Sequence, residues 1–242
     1  MGKVIGIDLG TTFSAIASLD DLGNPEVLAS IEDNRKITAS AVYLKDNEVI
    51  VGDKALNYLK DQSRNVILQT KREMENDVVY STEEGKWVND KNLVDAYTPA
   101  QVSALILKKL KEYTNDVKKV VITVPAMFAE KARQATLDAA KIADLEVIEL
   151  INEPTAAVLH YASLPGVEVG GRVMIFDLGG GTFDVTFAEV KNKKVDVVAV
   201  DVDVRERGET REREENDRER ETERAGGMAG EAVSYTHLTL PT

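Results

Sequence analysis

Asp8 and Asp177 each close an apolar run and open the same string, Asp-Leu-Gly. Gly10-Thr11-Thr12-Phe13 follows the first, and Gly179-Gly180-Gly181-Thr182-Phe183-Asp184 follows the second. Glycine lets a backbone approach a phosphate closely, because no Cβ stands in the way. Successive N–H groups in such a turn hold anions. A carboxylate beside them holds a hard cation, directly or through its water shell. The chemistry on offer is therefore phosphate binding next to a hydrated cation. One Asp-Leu-Gly is weak, since many turns contain it; two with matching flanks are informative.

The elements around these strings read as strands. An apolar run over 173–176, a glycine turn and an alternating run over 183–190 predict a β-hairpin. Residues 6–20 repeat the pattern of 176–190. Two related hairpins predict two related lobes, each offering a phosphate-binding turn to one cleft, with Asp8 and Asp177 facing each other across it. The alternative is a pair of unrelated glycine turns.

Elsewhere, strands are expected over 3–9, 14–19, 26–30, 39–44 and 48–51, with a short helix over 53–60. Residues 64–75 show no clear pattern, and 78–87 reads as a small hairpin with Gly85 near its turn. A helix is expected over 99–113: Thr98 and Gln101 have capping-box spacing and Pro99 suits the first helical position. Val102, Leu105, Ile106, Leu110 and Tyr113 would form its buried face. A strand over 118–124 stops at Pro125. A second helix follows over 129–143, with Ala132, Ala135, Ala139 and Ile142 on one side. A strand over 145–150, a helix over 153–161 and a last strand over 195–200 complete a mixed α/β pattern.

At 242 residues, with 43% hydrophobic content, the chain has enough for a sizeable core. A net charge of −12 argues against nucleic acid as a partner, because phosphate contacts need clustered Lys and Arg. With no cysteine there is no disulfide, thiolate metal site or cysteine nucleophile. No stretch reads as a signal peptide or a membrane span, so a soluble cytoplasmic protein away from membranes is expected. P-loop spacing and Gly-x-Gly-x-x-Gly spacing are absent. The two histidines, His160 and His237, lack a second histidine at metal spacing.

Composition breaks after Asp201. Residues 205–224 hold seven Arg, eight Glu and one Asp, with no apolar residue. The preceding 200 residues hold eighteen Lys and five Arg. Such a tract cannot bury a core, so 202–242 reads as a charged, disordered tail. It is either a non-native continuation, as a shifted frame would give, or an interaction tail.

Residues 1 to about 200 resemble the first part of the ATPase domain of heat shock protein 70 chaperones of the DnaK type. The matching strings are Gly6-Ile7-Asp8-Leu9-Gly10-Thr11-Thr12, Val121-Ile122-Thr123-Val124-Pro125-Ala126 and Ala132-Arg133-Gln134-Ala135-Thr136. Ile151-Asn152-Glu153-Pro154-Thr155-Ala156-Ala157 and the Asp177 to Asp184 string complete the set, in the family's order. The resemblance implies an actin-like ATPase fold of duplicated ribonuclease H-like lobes. The first lobe, 1–164, would be complete, with a smaller subdomain at about 34–97; 165–201 would only begin the second. Departures are Phe13 where relatives often carry a polar or tyrosyl residue, Met127 for a common aromatic, and a weak match over 34–92. The family's Gly-Gly-acidic stretch, its later adenosine-cradling glycine motif and its peptide-binding domain are missing.

The resemblance implies hydrolysis of ATP to ADP and phosphate by the intact protein, weak or absent in this fragment, with Mg2+ and, as a further candidate, K+. Asp8, Glu153, Asp177 and Asp184 would hold the metals, mostly through water. Gly10, Thr11, Thr12, Phe13, Gly179, Gly180, Gly181 and Thr182 would bind nucleotide, and Thr182 would also serve catalysis with the carboxylates. Lys71 would reach the γ-phosphate or the attacking water; composition alone marks it as an ordinary surface lysine. Pro125 and Arg133 would form an interdomain relay. Implied partners are unfolded client polypeptides, a J-domain co-chaperone and a nucleotide-exchange factor. The competing reading is an actin-like filament protein using the same cleft to control assembly.

Overall fold

The computed structural model describes residues 4–46, 48–90, 92–114, 117–164, 167, 170–179, 182–191 and 194–204. Two compact units divide the chain, Met1–Asn152 and Glu153–Thr242.

In the first unit the chain runs β1 (Val4–Asp8), β2 (Phe13–Leu19), β3 (Pro25–Val27), β4 (Thr38–Ala39), β5 (Val42–Lys45), β6 (Glu48–Val51) and α1 (Asp53–Leu56). It continues with β7 (Val66–Ile67), β8 (Val79–Ser81), β9 (Lys86–Val88), β10 (Ala96–Tyr97), α2 (Pro99–Lys111), β11 (Lys119–Val124), α3 (Glu130–Ile142) and β12 (Glu146–Asn152). The main sheet has the order β12-β11-β1-β2-β3, with β4 also paired to β2. Strands β12, β11 and β1 are parallel, while β2 runs antiparallel to β1, β3 and β4. Two further three-stranded sheets have the orders β6-β5-β7 and β10-β8-β9.

Alternation decides the faces of the main sheet. Ile5, Ile7, Ile16, Val120 and Ile122 point into one core with Val102, Ile106, Leu107 and Leu110 of α2 and Ala139 and Ala140 of α3. Val42, Leu44, Ile67 and Tyr80 of the small sheets join that core. Tyr43, between Val42 and Leu44, turns instead to a second cluster with Ala39, Ala41, Ala55 and Val66.

The capping box at Thr98 and Gln101 forms as the spacing predicts. α2 is buried on more than one stripe, because it packs against α3 as well as β2, β5 and β6; Ser103, Ala104 and Leu107 are covered too. In α3 the buried set is Ala132, Thr136, Ala139 and Ala140. Ile142, expected on that side, is exposed. Its small residues bring α3 against α2, and β12 lies alongside. α1 ends at Leu56, short of the expected 60: Asn57 caps it, and turns carry Tyr58 to stack on Tyr43 at 4.1 Å. The unpatterned stretch 64–75 contains two 3-10 turns, Ser63–Asn65 and Thr70–Glu73, around β7.

The second unit opens with α4 (Glu153–Ser163) and continues as a meander of β13 (Gly171–Leu178), β14 (Thr182–Lys191) and β15 (Lys194–Val204). Val158 of α4 packs with Val173, Ile175, Ala188 and Val190. β15 is longer than the expected 195–200. A register shift at Phe187/Ala188 leaves Val198 bulged and exposed. Pairing of Thr182 with Val204 carries the strand past the composition break at 201. The tail tract 205–242 lies outside the described residues. Among the described residues, no helix is long and apolar enough to cross a membrane.

Candidate functional site

The two hairpins have the same register. Asp8 pairs with Ala15, and Asp177 pairs with Asp184, each seven residues on. Gly6 pairs with Ala17 as Ile175 pairs with Thr186. Asp8 and Asp177 therefore hold the same ladder position, and Phe13 and Thr182 each open the return strand. The repeat read from the residues is thus a repeat in backbone geometry. Opposite each aspartate the two differ, with Ala15 in the first hairpin and a second carboxylate in the other.

Asp8 lies at the carboxyl end of β1, beside the ends of the parallel strands β11 and β12. Ligands of open α/β sheets bind outside that edge. Thr123 is Asp8's ladder partner on β11, and its hydroxyl donates to Asp8 Oδ1 at 2.8 Å. Thr123 belongs to the string Val121 to Ala126, whose residue types alone give it no role. Its signal is the alternation of β11, where Val120, Ile122 and Val124 are buried and Thr123 takes the other face.

The turn after β1 is tight. A Cβ on Gly10 would sit 2.0 Å from Phe13 O, so only glycine fits. Ser40 N–H donates to Thr12 O, and Ser40 Oγ donates to Gly10 O, both at 2.8 Å. Thr11 and Thr12 are half-buried on this turn, and Phe13 is exposed. Thr12 Oγ1 is buried with no hydrogen-bond partner among the described residues. A buried, unpaired hydroxyl is costly, so a ligand oxygen there would satisfy it. The turn's residues fit a phosphate.

Lys71 lies in the 3-10 turn Thr70–Glu73, which packs against α2. Gln69 enters this turn at φ 56°, and Met74 leaves it buried, with Ser103 Oγ 3.6 Å from its sulfur. Farther along, Glu75 accepts from Ala129 N at 2.9 Å, and Asp77 pairs with Lys131 at 3.0 Å. The Lys71 segment is thereby tied to the start of α3.

Pro125 and Arg133 are brought together. Phe128 N–H donates to Pro125 O at 3.1 Å, and Arg133 Nε donates to Phe128 O at 2.9 Å. Arg133 also donates to Asn152 Oδ1 at 2.8 Å, at the residue before Glu153.

In the second unit Glu153 opens α4, and Gly179 follows β13. Asp177 and Asp184 are half-buried. Like charges directly opposite on a ladder repel, and a cation between them would relieve this. Carboxylate oxygens are the donor type that a hard cation takes. Gly180 and Gly181 lie outside the described residues, and Thr182 is described by its backbone alone. Among the described residues, no three His, Cys, Asp or Glu side chains converge to hold a metal directly.

The family described as Hsp70 protein matches residues 4–213. The chain is 41% identical over 201 residues to the chaperone protein DnaK of Mycoplasmopsis agalactiae, a match covering 81% of this chain and 31% of that protein. It spans about a third of the length of that curated relative. These matches do not favour the filament reading.

Proposed function

We propose, since the chain belongs to the Hsp70 family, that it supplies the phosphate-binding part of an ATP-hydrolysing chaperone domain. The observation that carries this is the pair of hairpins in identical register, each with an aspartate before a glycine turn. In this reading residues 1–164 are a complete lobe of an actin-like ATPase, and 165–201 begin the other lobe.

Thr11, Thr12 and Thr182 bind β- and γ-phosphate oxygens, with the N–H groups around Gly10 and around Gly179, Gly180 and Gly181. In the first unit Asp8, its carboxylate oriented by Thr123, would hold Mg2+ through water; in the second, Asp177 and Glu153 would do the same, and Asp184 would add a site for K+. When bound, the metal neutralises phosphate charge. Glu153 also orients the water that attacks. Phosphoryl transfer needs positioning and electrostatic stabilisation rather than covalent help. Lys71 acts on the charge that develops at the γ-phosphate. Arg133 and Pro125, linked to Asn152, carry the state of the site toward a peptide-binding domain in a longer chain. Client polypeptides, a J-domain co-chaperone and an exchange factor are the partners proposed for that longer protein, and the cytoplasm its location.

The test uses a full-length protein carrying these residues. Lys71→Ala should lower single-turnover hydrolysis at least tenfold while Mg·ATP affinity changes little, as expected for an interaction made in the transition state. Unchanged single-turnover hydrolysis would remove Lys71 from the mechanism.

A further inference from the structure

We infer that Ser40 is a positioning residue for the first phosphate turn, fixing the two peptide planes that aim the Thr11 and Phe13 N–H groups outward. The inference rests on the phosphate reading above. Ser40 follows β4 and is buried at 4% exposure. Its hydroxyl donates to Gly10 O and its N–H donates to Thr12 O, both at 2.8 Å. A trans peptide is planar, so its N–H points opposite its C=O. With the Gly10 carbonyl held toward Ser40, the Thr11 N–H points away from it. With the Thr12 carbonyl held the same way, so does the Phe13 N–H. One residue thus anchors alternate peptides from behind, and both N–H donors are aimed to the opposite side.

A second hydroxyl completes the device. Ser14 Oγ lies 2.9 Å from Ser40 Oγ, and Ser14 is 1% exposed. A serine hydroxyl has one proton, and that of Ser40 is spent on Gly10 O. Ser14 is therefore the donor, and the order is Ser14 to Ser40 to Gly10. Two hydroxyls buried next to an apolar core are costly unless bonded; here the bonds run into the turn. Gly10 has no room for a side chain, and Thr12 Oγ1 on the same turn is buried and unpartnered. The turn is held from one side and keeps polar capacity for a ligand.

The experiment is 1H–15N NMR of the chain with Ser40→Ala, Ser40→Thr and Ser14→Ala, titrated with Mg·ADP and with pyrophosphate. In Ser40→Ala the amide shifts of Thr11, Thr12 and Phe13 should move, and their order parameters should fall below about 0.6. Ile5, Ile7 and Val120 should stay near about 0.85. Affinity for both ligands should fall about tenfold, on the scale of one lost hydrogen bond plus an unsatisfied partner. Ser40→Thr keeps the hydroxyl and should recover most of it, while Ser14→Ala should show a smaller loss in the same amides. If Ser40→Ala does not fold, Ser14→Ala decides: disturbance at Gly10 to Phe13 supports the relay, and none there overturns it. Unchanged affinity in Ser40→Ala, or loosening spread evenly through the sheet, overturns the positioning role. A wild-type chain that binds neither ligand, with loosening still confined to the turn in Ser40→Ala, overturns the phosphate reading and leaves the orientation by Ser40 standing.

Discussion

Asp8 is useful to a cation only if its carboxylate is held, and Thr123 holds it from the neighbouring parallel strand. Thr123→Val keeps the shape and removes the donor. We predict a fold stable within about 1.5 kcal/mol of wild type and Mg2+-dependent nucleotide binding weakened by about 1.5 kcal/mol, the lower end of the range for a hydrogen bond to a charged group. Thermal melts and titrations with and without Mg2+ check both halves. Gly10 is more demanding, because an added Cβ would meet Phe13 O at 2.0 Å. Gly10→Ala should rebuild the turn and weaken phosphate binding more than Thr123→Val does, with the sheet's amide shifts unchanged; equal affinity would show that the turn does not bind. Asp8 and Gly10 were legible in the sequence because residue type and local spacing define them. Thr123 and Ser40 were not, since their partners lie 115 and 30 residues away and only strand pairing reveals them. Lys71 was placed by resemblance alone; nothing in its neighbours' composition marks it.

Among the elements, long periodic ones and the short hairpin over 78–87 could be read, and the two-residue strands could not. α2 follows its pattern, and its capping box closes through Thr98 N–H to Gln101 Oε1 at 2.8 Å and Gln101 N–H to Thr98 Oγ1 at 3.2 Å. Thr98→Ala should cost about 1 kcal/mol, read as a lower midpoint in urea. Strands β4, β7 and β10 have two residues each and no periodicity to detect. The burial of α2 on several stripes depends on neighbours that its own sequence does not specify. Loop 30–35 is fastened through Glu32, which pairs with Lys54 and Lys109. Hydrogen bonds from Lys109 first, then Lys54, lower the Glu32 pKa to about 2. A carboxylate with a depressed folded pKa adds stability that is complete above its unfolded value, roughly 4.3. That contribution is lost as the pH falls toward about 2. Because the pair is largely solvent-exposed, Glu32→Gln should cost at most about 1 kcal/mol at pH 7. The difference from wild type should shrink as pH falls from about 4.3 and vanish only below about pH 2. A difference that persisted in acid would mean that Glu32 acts through packing.

For the whole molecule, the repeated hairpin was visible in sequence because both copies carry the same string at the same spacing, and the register confirms their equivalence. The extent of the last described strand was less visible. Charge composition changes after 201, but β15 pairs through Val204, because Asp201-Val202-Asp203-Val204 still alternates polar and apolar residues. Truncation after Val204 should leave the melting temperature within error, whereas truncation after Val200 should lower it by several degrees as four ladder residues are lost. The most direct test of phosphate binding by both hairpins is a titration of the purified chain with Mg·ATP, followed by calorimetry and 1H–15N shifts. The account predicts a Kd of about 1 mM or weaker, because phosphate contacts alone must offset the entropy of association, with shifts at Gly10, Thr11, Thr12, Phe13 and Gly179. Shifts absent from both turns at saturating nucleotide, or confined to residues outside them, would contradict it.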